Sequence, residues 1–273
     1  MGQRILLASG NAKKLAELRA LCAELPVKIL SPQDLPRGLP DVIEDGDTFL
    51  ANAQKKALAA AKVAADQIGE DVWALADDSG LCVDALDGAP GVYSARFALL
   101  DENGRDDGCI DGNAPDGANN KKLLRKLDGL SGAERGAAFH CVIVVARAGG
   151  RGGNGGGNGG AGRGGDEGEC DGGNDQANRL AGEELFHVEG SVRGRILEVA
   201  DGEQGFGYDP LFWHEESGCS FARLSGERKA MVSHRGQAVR QLREVLMNHF
   251  ETLQRDEQQR DEPQQGEHGE KLS

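Results

Sequence analysis

Three short segments of the chain bring charged and glycine residues together in patterns that could do chemistry. The first is Ser9-Gly10-Asn11-Ala12-Lys13-Lys14. It follows an apolar run and precedes a helical pattern, so backbone N–H groups and two lysines would face whatever lies at the turn, an arrangement suited to phosphate. By local sequence alone it reads more readily as an ordinary helix cap followed by two solvated lysines. It is not a Walker A loop, since G-x-x-x-x-G-K-[ST] occurs nowhere. The second is Asp77-Asp78-Ser79-Gly80, after the apolar run Val72–Ala76. Adjacent carboxylates at the end of a buried strand are costly without a cationic partner. Mg²⁺ is one such partner, and a carboxylate there could also orient or deprotonate water. The alternative is a plain turn, in which Asp, Ser and Gly are all common. Glu44, just before a helix, is a further candidate ligand or a capping acid.

The third segment is Gly205-Phe206-Gly207-Tyr208-Asp209-Pro210, with Lys229 and Ser233-His234-Arg235-Gly236 downstream. An aromatic ring between glycines can lie against a planar base, and Lys and Arg supply donors to phosphate or carbonyl oxygens. A glycine turn with both aromatics in the core fits the same residues. Together the three segments offer an anion cradle, a carboxylate metal site, an aromatic platform and a cationic reader. That set suits a Mg²⁺-dependent enzyme acting on a nucleoside polyphosphate.

The elements that must position these residues follow from periodicity. Ile5–Ala8 reads as a strand, then Asn11 caps a helix whose apolar face is Leu15, Leu18, Cys22 and Leu25. Val27–Leu30 is a second strand, and an Ala- and Lys-rich helix spans about 47–66. Val72–Ala76 is a buried strand that ends at Asp77. A short helix is expected at 119–127, the strongest strand at 137–146, and a strand pair at 185–188 and 195–199. A closing helix runs over 234–250. Strands and helices alternate, which predicts an α/β fold with a mixed sheet.

Composition narrows the function classes. The chain has 273 residues and a formal net charge of −14, which argues against sequence-blind binding to nucleic acid. No apolar run reaches the roughly 18 residues of a membrane helix. Fifteen of the 41 glycines fall in 149–173, and the stretch 149–179 reads as a flexible insertion. Residues 101–118 read as an acidic surface loop and 251–273 as an acidic, disordered tail. Residues 1–250 then form a single domain. Cysteines 22, 82, 109, 141, 170 and 219 show no C-x-x-C spacing, and the start lacks a signal-peptide pattern, so a reduced cytoplasmic compartment is expected.

SGNAKK, TFLANAQKKA, ADDSGLCVDALDGAPGVYSARF, GFGYDPLF and SHRGQA, in this order, resemble the inosine triphosphate pyrophosphatase family. The resemblance covers about 3–100, 119–147 and 185–247. It implies an elongated mixed β-sheet flanked by helices, two lobes with the active-site cleft between them, and a homodimer. The implied activity is Mg²⁺-dependent hydrolysis of the noncanonical purine nucleotides ITP, dITP and XTP to monophosphate and pyrophosphate. Carried over by motif, Ser9, Gly10, Asn11, Ala12, Lys13 and Lys14 would hold the triphosphate and Asp78 would be the acidic catalytic residue, acting on the attacking water directly or through metal. Ser79 would touch substrate, while Glu44 and Asp78 would hold metal, with Asp77 a further candidate. Phe206, Gly207, Tyr208, Asp209, Lys229, His234 and Arg235 would bind base and nucleotide. One departure is Ala51-Asn52-Ala53 where the family commonly has Glu-Asn-Ala. Other readings are a related Maf-type pyrophosphatase with different substrates, and a catalytically silent nucleotide-binding protein.

Overall fold

The computed structural model describes residues 2–69, 72–101, 112–148 and 182–261. The insertion expected at 149–179 therefore lies outside the described residues, as do 102–111 of the acidic loop and 262–273 of the tail. Seven strands form one sheet: β1 (Gln3–Leu7), β2 (Val27–Leu30), β3 (Val72–Val83), β4 (Gly136–Ala148), β5 (Gly182–Ile196), β6 (Phe212–His214) and β7 (Cys219–Ser220). Their spatial order is β2-β1-β3-β4-β5-β6-β7. The first three are parallel and the rest antiparallel, so the sheet is mixed, as expected. Five helices flank it: α1 (Ala12–Leu21), α2 (Phe49–Ile68), α3 (Asp116–Lys126), α4 (Gly226–Val232) and α5 (His234–Asp261).

Each sheet face is covered for a reason visible in the side chains. On α2, Ala53, Ala57, Ala60, Ala61 and Ala64 repeat at helical spacing, and all are buried. This small-residue stripe lets the helix lie close against Ala74, Ala76, Val142, Val144 and Ala146 of β3 and β4. Thr48 starts the helix, its Oγ1 accepting from the Ala51 N–H at 3.1 Å. On the opposite face Leu18 of α1, Cys22 in the turn after it, and Leu242, Leu246 and Phe250 of α5 pack on Leu75, Ile143 and Val145. A further buried cluster lies toward the other end of the sheet, where Phe139, Phe212 and Phe221 meet Leu123 and Leu127. The long strands β3 and β4 join the two regions.

Five boundaries differ from the sequence expectation. α1 ends at Leu21, so Cys22 and Leu25, expected on its apolar face, lie in the turn that leads to β2. β3 does not stop at Asp77 but runs on to Val83, because β4 pairs with it along the whole length as far as Val83↔Ala137. The residues expected as a strand pair, 185–188 and 195–199, contribute instead to the single strand β5, antiparallel to β4, and Val199 lies exposed beyond its end. α3 begins at Asp116, so the end of the expected acidic loop is helical. α5 continues past Phe250 to Asp261. The intervening residues are good helix formers with no Gly or Pro, and Arg255 pairs with Glu251 one turn earlier at 3.2 Å.

Candidate active site

β1 ends before β3 does. Its last rung is Leu7↔Leu75, closed by the Ala8 N–H donating to Leu75 O at 2.7 Å. Beyond it the chain turns away through Ser9, Gly10 and Asn11. Asn11 Oδ1 accepts from the Lys14 N–H at 3.3 Å and so caps α1, and Ser9 Oγ accepts from the Asn11 N–H at 3.2 Å. Gly10 is exposed, Ala12 is the first helical residue, and the side chain of Lys13 lies outside the described residues. The next residues of β3 on the edge that β1 leaves are Asp77 to Gly80.

Side chains alternate along a strand, so adjacent carboxylates point to opposite faces. Asp77 follows Leu75 onto the face covered by α1 and α5, and there it meets two cations. Lys14 Nζ donates to Asp77 Oδ1 and Oδ2 at 2.7 and 2.8 Å, and Arg235 Nη2 donates to Oδ2 at 3.1 Å. The same Arg235 nitrogen lies 3.2 Å from Ser79 Oγ. Burial alone would raise the Asp77 carboxyl, but Lys14 and Arg235 outweigh it and hold the group well below the usual carboxylate range.

Asp78 follows Ala74 and Ala76 onto the α2 face. Lys56 Nζ donates to its Oδ1 at 3.0 Å and Asn52 Nδ2 to its Oδ2 at 3.3 Å. Glu44 closes the group, its Oε2 lying 3.1 Å from the same Lys56 nitrogen. Burial pushes the Asp78 carboxyl up to about 6; Lys56 opposes the shift and the Glu44 carboxylate adds to it. The loop carrying Glu44 is held from two sides. Asn52 Oδ1 accepts from the Gly46 N–H at 2.8 Å, and Arg96 Nη2 donates to the Glu44 carbonyl at 2.8 Å. Position 46 must be glycine for this approach, since a Cβ there would sit 2.7 Å from Asn52 Oδ1. A cleft of about 860 Å³ opens beside the group, with Ser9, Gly10, Glu44, Lys56, Tyr93 and Arg96 in its walls.

These contacts separate the metal candidates. Glu44 and Asp78 converge with hard oxygen donors on one side of the strand, and Mg²⁺ typically takes one or two carboxylates plus phosphate oxygens and water. The residues fit such an ion. Asp77 does not: it lies on the other face with both oxygens engaged by Lys14 and Arg235. Among the described residues no group of three or more His, Cys, Asp or Glu converges, so a cation between Glu44 and Asp78 needs further oxygens from a ligand.

The third segment divides. Phe206 is 53% exposed, with Lys229 Nζ 4.4 Å and the Arg235 guanidinium 5.8 Å from its ring centre. Asp209 is buried and accepts from the Phe206 N–H at 2.7 Å while pairing with Lys229. Tyr208, expected to touch nucleotide, is a core residue: it is 4% exposed and its hydroxyl donates to Ser94 O at 2.9 Å. Of the two aromatics, Phe206 is exposed and Tyr208 is buried. His234 is buried, its ring stacked on Phe139 at 4.8 Å, and its Nδ1 has no hydrogen-bond partner among the described residues. Burial, with Arg235 and Lys229 nearby, lowers its pKa well below the ordinary histidine value, so the ring is neutral.

Lys56, Asn52 and Arg96, which the sequence leaves unassigned, contact Asp78 and Glu44 and belong to the candidate site. The signal for two of them was present: Asn52 and Lys56 are four residues apart in a helix and share a face. Arg96 acts through the Glu44 backbone, which no local pattern reveals.

The Ham1 family matches this chain over residues 5–158 and 176–245. The dITP/XTP pyrophosphatase of Anaeromyxobacter sp. (strain Fw109-5) is 41% identical over 258 residues, covering 89% of this chain and 96% of that protein. The protein of the same name from Geobacter sulfurreducens is 39% identical over 243 residues, with the same coverage of each. Among solved structures, a HAM1 protein from Coxiella burnetii matches with a TM-score of 0.67 at 32% identity, covering 91% of this chain and all of that one.

Proposed function

Because the chain belongs to the Ham1 family, we propose that it hydrolyses noncanonical purine nucleoside triphosphates such as ITP, dITP and XTP to the monophosphate and pyrophosphate. The observation that carries this reading is the convergence of Glu44, Lys56 and Asp78 beside the Ser9–Lys14 turn, with Phe206, Lys229 and Arg235 beyond it. The two carboxylates are the ligands for Mg²⁺, which when bound neutralises phosphate charge. Lys14 and Lys56 take the phosphate oxygens, the first from the turn and the second from α2. Asp78 orients the attacking water and accepts its proton; a carboxyl near 6 is mostly ionised at neutral pH yet more basic than an ordinary aspartate.

The base lies against the exposed ring of Phe206, within reach of Arg235. Hypoxanthine and xanthine present a carbonyl oxygen at C6, which a guanidinium can meet. Adenine presents an amino group there, and two donors facing each other leave both unsatisfied. Guanine shares the oxygen, so its rejection depends on its 2-amino group. The enzyme works as a homodimer in the cytoplasm, with residues 1–250 as one catalytic domain, and clears free nucleotides before they enter DNA or RNA. Its substrate is a small molecule and neither nucleic acid nor membrane; a net charge of −14 disfavours sequence-blind binding along a nucleic-acid backbone. Among the described residues no helix is long and apolar enough to cross a membrane.

The test is a panel of triphosphates with Mg²⁺ and product identification. The expected result is pyrophosphate from ITP, dITP and XTP at rates far above those from ATP and GTP. Equal rates on all five, or orthophosphate as the first product, would overturn the reading.

A further inference from the structure

The loop that presents Phe206 is gripped from the side by α3. Asp116 Oδ2 accepts from the Gly207 N–H at 2.6 Å, and Asn120 Nδ2 donates to the Gly207 carbonyl at 3.0 Å. The two residues are four apart and therefore stand one turn above the other on α3. Gly207 has φ +60, a left-handed conformation that other residues rarely adopt, so this backbone shape is built in. Its neighbours are held as well. The Phe206 N–H donates to Asp209 Oδ2, and the Tyr208 hydroxyl donates to Ser94 O. Three consecutive residues are thus pinned by contacts to three separate parts of the chain. The Phe206 ring is left half outside the core, where surrounding packing only partly sets its direction. The backbone beneath it must supply the rest.

We propose that Asp116 and Asn120 are positioning residues for base recognition. By holding both polar groups of Gly207 they set the plane in which the Phe206 ring meets the purine, without touching the nucleotide themselves. The inference rests on the reading of Phe206 as the base platform given above. Its energetic basis is preorganisation: a platform already fixed loses less freedom when the base binds.

Asp116→Ala and Asn120→Leu are to be tested in the full chain with two probes in the presence of Mg²⁺. Inosine monophosphate reports on the base platform, and pyrophosphate reports on the phosphate site at Lys14 and Lys56. Each variant is expected to weaken inosine monophosphate about five- to tenfold, the worth of a single hydrogen bond, while pyrophosphate stays within about twofold. KM for ITP rises and kcat holds. Asp116→Asn keeps an oxygen acceptor for the Gly207 N–H and restores affinity. The double variant loses less than the product of the two, because both act through one residue. Unchanged inosine monophosphate binding in both single variants would overturn the proposal, as would equal weakening of the two probes, which marks a general structural loss. A wild-type protein that binds neither probe and releases no pyrophosphate from ITP would overturn the function reading together with this one, and is seen before any variant is made.

Discussion

Lys14 meets both oxygens of Asp77, at 2.7 and 2.8 Å, on the opposite side of β3 from Asp78. A lysine expected to hold phosphate is thus engaged by a carboxylate, and Arg235 shares that partner. The Asp77 carboxylate holds both cations in place.

Asp77→Asn removes the charge that both cations face. Lys14 and Arg235 retain some exposure, so the cost falls below the ~3–5 kcal/mol of a fully buried broken pair, on the order of 2 kcal/mol. Urea unfolding at neutral pH should show the loss, accompanied by a raised KM for ITP. An unchanged unfolding midpoint would contradict the anchoring role.

Asp78→Asn keeps the shape of the group but turns one of its two acceptor oxygens into a donor, so it can accept from only one of Asn52 and Lys56, and it cannot take up a proton. Turnover is expected to fall by about 10²–10⁴-fold. Nucleotide affinity, measured by calorimetry, should change far less. Turnover within tenfold of the parent would remove Asp78 from its role.

The Asp78 carboxyl lies near 6, above its unfolded value, and must be ionised to act. Activity should therefore rise with pH through about 6 and level off above it. Added Mg²⁺ binds the ionised form, so the midpoint should move to lower pH as Mg²⁺ increases; rate profiles at two Mg²⁺ concentrations check this. The stability consequence has the opposite sign. A raised folded pKa gives a contribution that is full below the unfolded value and is lost as pH rises through about 6.

Phe139 packs on Phe212 and Phe221 and stacks on His234. Phe139→Ala should cost ~3–5 kcal/mol and loosen the His234 ring, lowering ITP affinity as well as stability. Phe139→Leu refills much of the volume without the ring, so it should recover stability more than affinity. Thermal unfolding and KM separate the two effects.

Gly46→Ala places a Cβ against Asn52 Oδ1 and must push the Glu44 loop outward. The expected outcome is a higher Mg²⁺ requirement at a nearly unchanged unfolding midpoint. An unaltered Mg²⁺ dependence would show that this close approach does not position Glu44.

Much of this arrangement was legible in the chain. The Ser9–Lys14 turn follows from an apolar run meeting a capped helix, and the alanine stripe of α2 announces a helix lying tightly on a sheet. The strand carrying Asp77 and Asp78 was misjudged because two adjacent buried charges look prohibitive. The fold resolves that cost by sending them to opposite faces, each to its own cations, and those partners come from residues 14, 56 and 235. Contacts made across such sequence distances leave no local trace. Tyr208 illustrates the same limit. A glycine-flanked aromatic pair gives no sign of which ring turns inward until the Ser94 carbonyl is seen waiting for its hydroxyl. The reach of α5 to Asp261 escapes the sequence for a simpler reason: a polar composition suggests disorder even where helix propensity is high.

The opposite placement of Asp77 and Asp78 has a consequence for how this chain can change. A two-sided strand reads its sequence by parity. With the rungs to β1 kept, deleting one residue between Val72 and Ala76 would set Asp78 where Asp77 stands, against Lys14 and Arg235, and bring Ser79 to the place of Asp78, so that Lys56 and Glu44 would face a hydroxyl in place of a carboxylate. Deleting two would restore the parity but bring Ser79 and Gly80 to the places of the two carboxylates. The rungs that β4 makes with β3 on either side of these residues, Ala76↔Val144 and Ser79↔Cys141 among them, thus guard a phase as well as a shape. In this strand, a deletion of either parity upstream of Asp77 takes the carboxylate away from Lys56.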